Sequence, residues 1–214
     1  MEAVKYRIIS LGDLAKSNGG IYNAGAIGFY ESKRILLPRV EKDYMFTNDV
    51  DAVLIAGDVE DLKKGKYVST VLTRVGFPSD ARIEDFRLFI HNDQLYASHT
   101  MVLGWNGSST STPKLITPVI SKIVDDKIIL FDYLSIPIKR QNTEKNWMIF
   151  SWNGDLYCLY SLDPLIIFKH IGFSWHPIKE EENGLIEMVH SRLPGSGYLS
   201  LSAITHWRDE FMLG

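Results

Sequence analysis

The chain has 214 residues, 45% hydrophobic and 23% charged, with a net charge of −3 and a pI near 6.1. That length can bury a sizeable core and fits a single domain over 1–214, while the slightly acidic balance excludes a basic nucleic-acid footprint. The first residues lack the apolar stretch of a signal peptide, and no run reaches the ~18 apolar residues of a membrane span, so a cytoplasmic protein with no nucleic-acid or membrane partner is expected.

Strand patterns dominate from the N-terminus onward. Short apolar or alternating runs predict strands over 25–30, 34–40, 52–56, 67–75, 86–91 and 94–102. Further strands are predicted over 114–124, 127–133, 147–152, 155–161, 165–171 and 198–205. Turn residues separate them: Asn92-Asp93, Asp125-Asp126, Asn153-Gly154 and Gly195-Ser196-Gly197. Helical patterning is poor and is confined to 59–64 and 180–190. The fold class expected is all-β: a sandwich, a barrel or a propeller.

Repeats favour the propeller. The hairpins starting at Arg87, Met148 and Met188 each run from an apolar strand through a tight polar turn into a second strand. A looser copy starts at Ala26. Equivalent turns recur about every 40 to 60 residues, the period of propeller blades. The four copies imply a propeller that is abbreviated, or one whose last blade is completed by the N-terminal strand or by a partner.

Several segments combine residue types suited to chemistry. In Arg82-Ile83-Glu84-Asp85-Phe86-Arg87 two acids are flanked by arginines at the start of a strand. Neighbours in a strand point to opposite faces, so Glu84 and Asp85 share a pocket only if a bulge intervenes, whereas Asp85 and Arg87 share a face. Lys145-Asn146-Trp147 offers an indole for stacking on a sugar, with polar side chains for its hydroxyls or an anion. His190 and Arg192 precede a Gly-rich turn suited to an anionic group. Asn23 and Arg39 are polar residues at the ends of apolar strands, where propeller residues reach the central channel. The six histidines are widely spaced and the one cysteine, Cys158, sits in an apolar run, so neither a metal site nor an internal disulfide is expected. Phosphate-loop and serine-hydrolase motifs are absent.

Taken in order, these segments resemble the five-bladed propellers of the β-mannoside phosphorylase and β-1,2-mannosyltransferase group, relatives of the arabinanase- and levansucrase-like glycosidases. Glu84-Asp85-Phe86-Arg87 is similar to that group's Glu-Asp-Pro-Arg segment, with Phe86 in place of proline. Asn23 and Arg39 precede it, the Lys145 segment follows, and Arg192-Leu193-Pro194-Gly195 stands where the group has an Arg-Gly-Gly-Thr-Pro-like turn. The resemblance implies inverting phosphorolysis or transfer of a β-linked mannoside or similar glycoside, with Asp85 as the general acid. It implies Asn23, Arg39, Glu84, Arg87, Asn146 and Trp147 as sugar contacts, and Lys145, His190 and Arg192 as the anion site. No cofactor is implied beyond inorganic phosphate or a sugar phosphate as co-substrate, and a homo-oligomer is left open. Two other classes stay open: a non-catalytic carbohydrate-binding or scaffold propeller, in which Asp85 and Arg87 form a structural pair, and an arabinanase-like hydrolase. The hydrolase needs a second carboxylate facing the acid, for which Asp58, Glu41 and Glu187 are unranked candidates.

Overall fold

In a computed structural model, the residues described are 20–41, 50–64, 66–105, 113–138 and 147–182, with 184, 187, 204–207 and 210–213. They form three antiparallel meanders and a short hairpin, with one short helix. Sheet A joins β1 (Gly20–Tyr30), β2 (Lys33–Glu41), β3 (Val50–Gly57) and β4 (Val68–Val71) in sequence order. Helix α1 (Val59–Lys63) connects β3 to β4. Sheet B runs β6 (Arg82–His91), β7 (Gln94–Leu103), β8 (Leu115–Val124) and β9 (Lys127–Asp132), with β5 (Thr73–Val75) parallel to β9 at its outer edge. Sheet C joins β10 (Met148–Trp152), β11 (Asp155–Leu162), β12 (Leu165–Ile171) and β13 (Ser174–Glu181). The last hairpin pairs β14 (Ile204–Trp207) with β15 (Glu210–Leu213).

Local sequence explains the hairpins. Glu31-Ser32, Asn92-Asp93 and Asn153-Gly154 all have positive φ at both central positions. Two such residues make a type I′ turn, whose twist matches that of the flanking strands. Asn, Asp and Gly adopt this backbone at low cost, which is why two of the three turns were readable in advance.

The sheets stack. Ile35, Leu37 and Ala52 of sheet A share one core with Ile83, Phe86, Leu95, Ala97, Ile123 and Ile128 of sheet B. A second core joins Phe89, Tyr96 and Ile120 of sheet B to Trp147, Ile149, Leu156, Cys158, Phe168 and Trp175. Sheet B is therefore covered on both sides. The first strands of the meanders also adjoin, since β6 touches both β1 and β10. Cys158 is fully buried, and burial pushes its thiol well above the usual range.

Three expectations change. The strand expected over 67–75 is two strands in different sheets, split where Leu72 turns into the core and its N–H bonds Ala52 O at 2.8 Å. Strand β13 was missed because Pro177 and a run of charged residues hide its pattern. An edge strand tolerates both. The helix expected over 180–190 begins instead as strand, since Glu180 and Glu181 close β13; Glu187 is helical, and much of the rest lies outside the described residues. The helix at 59–64 forms as α1, capped by the Asp58 side chain. The all-β class stands; no sheet among the described residues closes on itself. No helix of the described residues is long and apolar enough to cross a membrane.

Candidate functional site

The site grows from two facing strands. Alternation puts Arg39 and Glu41 on one face of β2, and Arg82 and Glu84 on one face of β6. Packing of sheet A on sheet B brings these pairs together into a ring of alternating charge. Arg39 Nη1 donates to Glu84 Oε2 at 2.5 Å, and Arg39 Nε lies 3.3 Å from Glu41 Oε1. Arg82 Nη2 donates to Glu41 Oε1 at 2.5 Å, and Arg82 Nε lies 3.5 Å from Glu84 Oε2. Glu41 and Arg82 have side chains only 3% and 1% exposed, so the ring is closed on their side. Burial makes such pairing obligatory, because a lone charge there would be strongly unfavourable.

Asp85 stands at the open side, where its side chain is 23% exposed and Oδ1 lies 4.0 Å from Arg39 Nη1. A β-bulge brings it there. Glu84 pairs with Thr100 and Arg87 with Ser98, so Asp85 and Phe86 together face His99 alone. Asp85 takes the left-handed conformation, φ 59°. Such a bulge re-aims a side chain, and here it lets consecutive acids reach the same arginine. Arg87 Nη1 donates to the Asp85 backbone carbonyl at 3.1 Å. Burial pulls the Arg87 guanidinium below its usual value, and Asp85 partly offsets this.

Strand β1 bulges at the same level. Tyr22 pairs with Arg39 and Gly25 with Leu37, so Asn23 and Ala24 lie in the irregular stretch. The backbones meet at Gly25, where an added Cβ would stand 2.7 Å from Phe86 O. Only glycine allows this approach, which sets the Asn23 stretch against the Asp85 bulge.

His99 supports the bulge from beneath. It is buried, 5.2 Å from the Phe86 ring and 5.9 Å from Phe77. Its Nε2 hydrogen-bonds Ser121 Oγ at 2.8 Å. Burial lowers its pKa to about 4. The folded chain therefore holds it neutral, and this contribution to stability is present above the ordinary value of 6.5 and lost as pH falls from there to about 4. The shift corresponds to about 3 kcal/mol. Urea unfolding of the wild type between pH 7 and pH 4 should show a loss of that order, reduced in His99→Gln. Identical pH slopes for the two proteins would refute the assignment.

Other expected site residues fare differently. Trp147 is 3% exposed and edge-packed on Tyr160 at 5.1 Å, in the core between sheets B and C, so its indole cannot stack on a sugar. Lys145, Asn146, His190 and Arg192 lie outside the described residues. Asp58 caps α1, its carboxylate accepting from Asp61 N at 2.8 Å, a bond that holds its pKa below the usual value. Glu41 is locked in the ring. Neither is placed to serve as the second carboxylate of a hydrolase. Sequence reasoning missed the ring roles of Arg82 and Glu41. It also missed Trp105, whose ring centroid lies 4.9 Å from Arg82 Cζ, a cation–π contact. Among the described residues no group of three or more His, Cys, Asp or Glu side chains could hold a metal ion.

No protein-family model matches the chain. No curated protein matches it either. Among solved structures it is similar to a crystal structure described as a "putative glycoside hydrolase" from Parabacteroides distasonis, with a TM-score of 0.50 and 13% identity. The match covers 75% of this chain and 50% of that one, so the chain spans half the length of this structural neighbour. At that identity the likeness concerns the fold.

Proposed function

We propose that the chain is a single-domain propeller of the five-bladed type, abbreviated or with an incomplete last blade, acting on carbohydrate with Asp85 as general acid. The reaction proposed is inverting phosphorolysis or transfer of a β-linked mannoside or similar glycoside. The observation that carries this is the bulge at Asp85, which presents one acid at the open edge of a buried charge ring. Stacked meanders whose first strands adjoin support the propeller, and the structural neighbour's description as a glycoside hydrolase supports the substrate class.

The chemistry follows from one acid. An oxygen of phosphate bonds to the anomeric carbon as the glycosidic C–O bond breaks on the opposite face. The departing oxygen takes a proton that originates on Asp85, relayed by a sugar hydroxyl. Because phosphate is already anionic, no second carboxylate is required; cationic groups hold it instead. Lys145, His190 and Arg192 are proposed for that task. Asn23 and Arg87 are proposed sugar contacts, while Arg39 and Glu84, engaged with each other, act by holding the edge on which Asp85 stands. A non-catalytic carbohydrate-binding propeller is the second reading, favoured by the closure of the ring on itself.

Incubating the wild type with short β-mannosides, with and without inorganic phosphate, tests the proposal. Sugar phosphate should appear with phosphate present, or a transferred product with a sugar acceptor. If neither forms and no sugar is released, the enzymatic reading falls and the binding reading replaces it.

A further inference from the structure

Sheet C carries a second feature far from Asp85. His91, six residues beyond Asp85 on β6, hydrogen-bonds Ser151 Oγ at 2.9 Å, immediately before Trp152. At strand rise that separation is about 20 Å. Trp152 and Asp155 are the closing pair of the β10–β11 hairpin, so they project from the same face. Ser151 points the other way, toward sheet B.

On the Trp152 face an aromatic ladder runs inward. Tyr157 lies 6.1 Å from Trp152 and stacks on Phe150 at 5.4 Å. Met148 and Leu159, farther along the same face, are buried, so the face opens toward its tip. There Trp152 is 43% exposed. Beside it Lys169 Nζ pairs with Asp155 Oδ2 at 2.6 Å and lies 5.7 Å from the Tyr157 ring centroid. Both charged side chains remain partly in solvent.

We propose that this tip is a second, non-catalytic binding site for the pyranose ring of an oligosaccharide. An exposed indole, with the tilted Tyr157 ring 6.1 Å away, offers a flat apolar surface to the C–H face of a sugar. The adjacent carboxylate accepts from sugar hydroxyls and the ammonium donates to them. Local neutrality of the Asp155–Lys169 pair suits an uncharged sugar. The site is independent of Asp85 and of whether Asp85 catalyses anything.

Calorimetric titration separates the two sites. The Asp85→Asn chain is titrated with β-1,4-mannohexaose, cellohexaose and maltohexaose, alone and combined with Trp152→Ala, Trp152→Phe or Asp155→Ala. At least one hexaose should bind. Trp152→Ala should weaken that binding about tenfold or more, with Trp152→Phe intermediate. Asp155→Ala, at a partly exposed position, should weaken the same binding and decides the matter if the Trp152 variants fail to fold. Unchanged affinity in folded Trp152→Ala, or in Asp155→Ala where the Trp152 variants do not fold, would overturn the site, as would no binding of any hexaose. Turnover by the wild type reports on Asp85 alone, so either idea can fail without the other.

Discussion

Replacing Asp85 by Asn is expected to lower turnover of a β-mannoside by about 10²- to 10⁴-fold, the usual contribution of a positioned general acid. The fold should barely change. Asp85 is partly exposed, and Arg39 Nη1, 4.0 Å from it, is already hydrogen-bonded to Glu84. Such a partly exposed pair is worth about 1 kcal/mol or less. Asparagine also adopts the left-handed backbone that Asp85 takes at φ 59°, so the bulge survives the substitution. Alanine would confound the measurement by adding backbone strain. Steady-state kinetics and thermal melting on the same preparations give the answer. A variant that keeps wild-type turnover refutes the acid; one that melts far lower makes Asp85 a structural residue, as the scaffold reading requires.

Arg82→Ala should do the opposite and cost about 3–5 kcal/mol of stability. Its guanidinium is buried, bridges Glu41 and Glu84, and lies over Trp105. Removing it leaves Arg39 as the ring's remaining cation against Glu41, Glu84 and the nearby Asp85. Glu41, 3% exposed, would have to keep an uncompensated charge or take up a proton. The Arg82→Met, Glu41→Leu double variant removes both members and should recover much of the loss, because apolar replacements of a complete buried pair are often neutral. Urea unfolding of the three proteins checks this. A single-variant loss below about 1 kcal/mol would mean that the ring is not a stabilising element.

Strands and turns were legible because their causes are local. Alternation over five to ten residues marks a strand, and Asn92-Asp93 or Asn153-Gly154 marks the turn after it. The sequence also drew attention to Asp85, since two adjacent acids between arginines are unusual at the start of an apolar strand. Its surroundings were not legible. Arg39 meets Glu84 from 45 residues away, and Arg82 meets Glu41 from 41. Such partners are chosen by which sheets stack.

The tryptophans divide in the same way. Trp147 and Trp152 bracket one strand, yet one is buried against sheet B and the other is 43% exposed. Alternation separates them by face, but only the packing of sheet C decides which face meets the core. Sequence by itself thus determined the all-β class and the acidic segment of β6, whose causes lie within a few residues. The tertiary structure decided that Glu84 and Asp85 both reach Arg39. That depends on one extra residue in the register against His99, and register is set by pairing between strands.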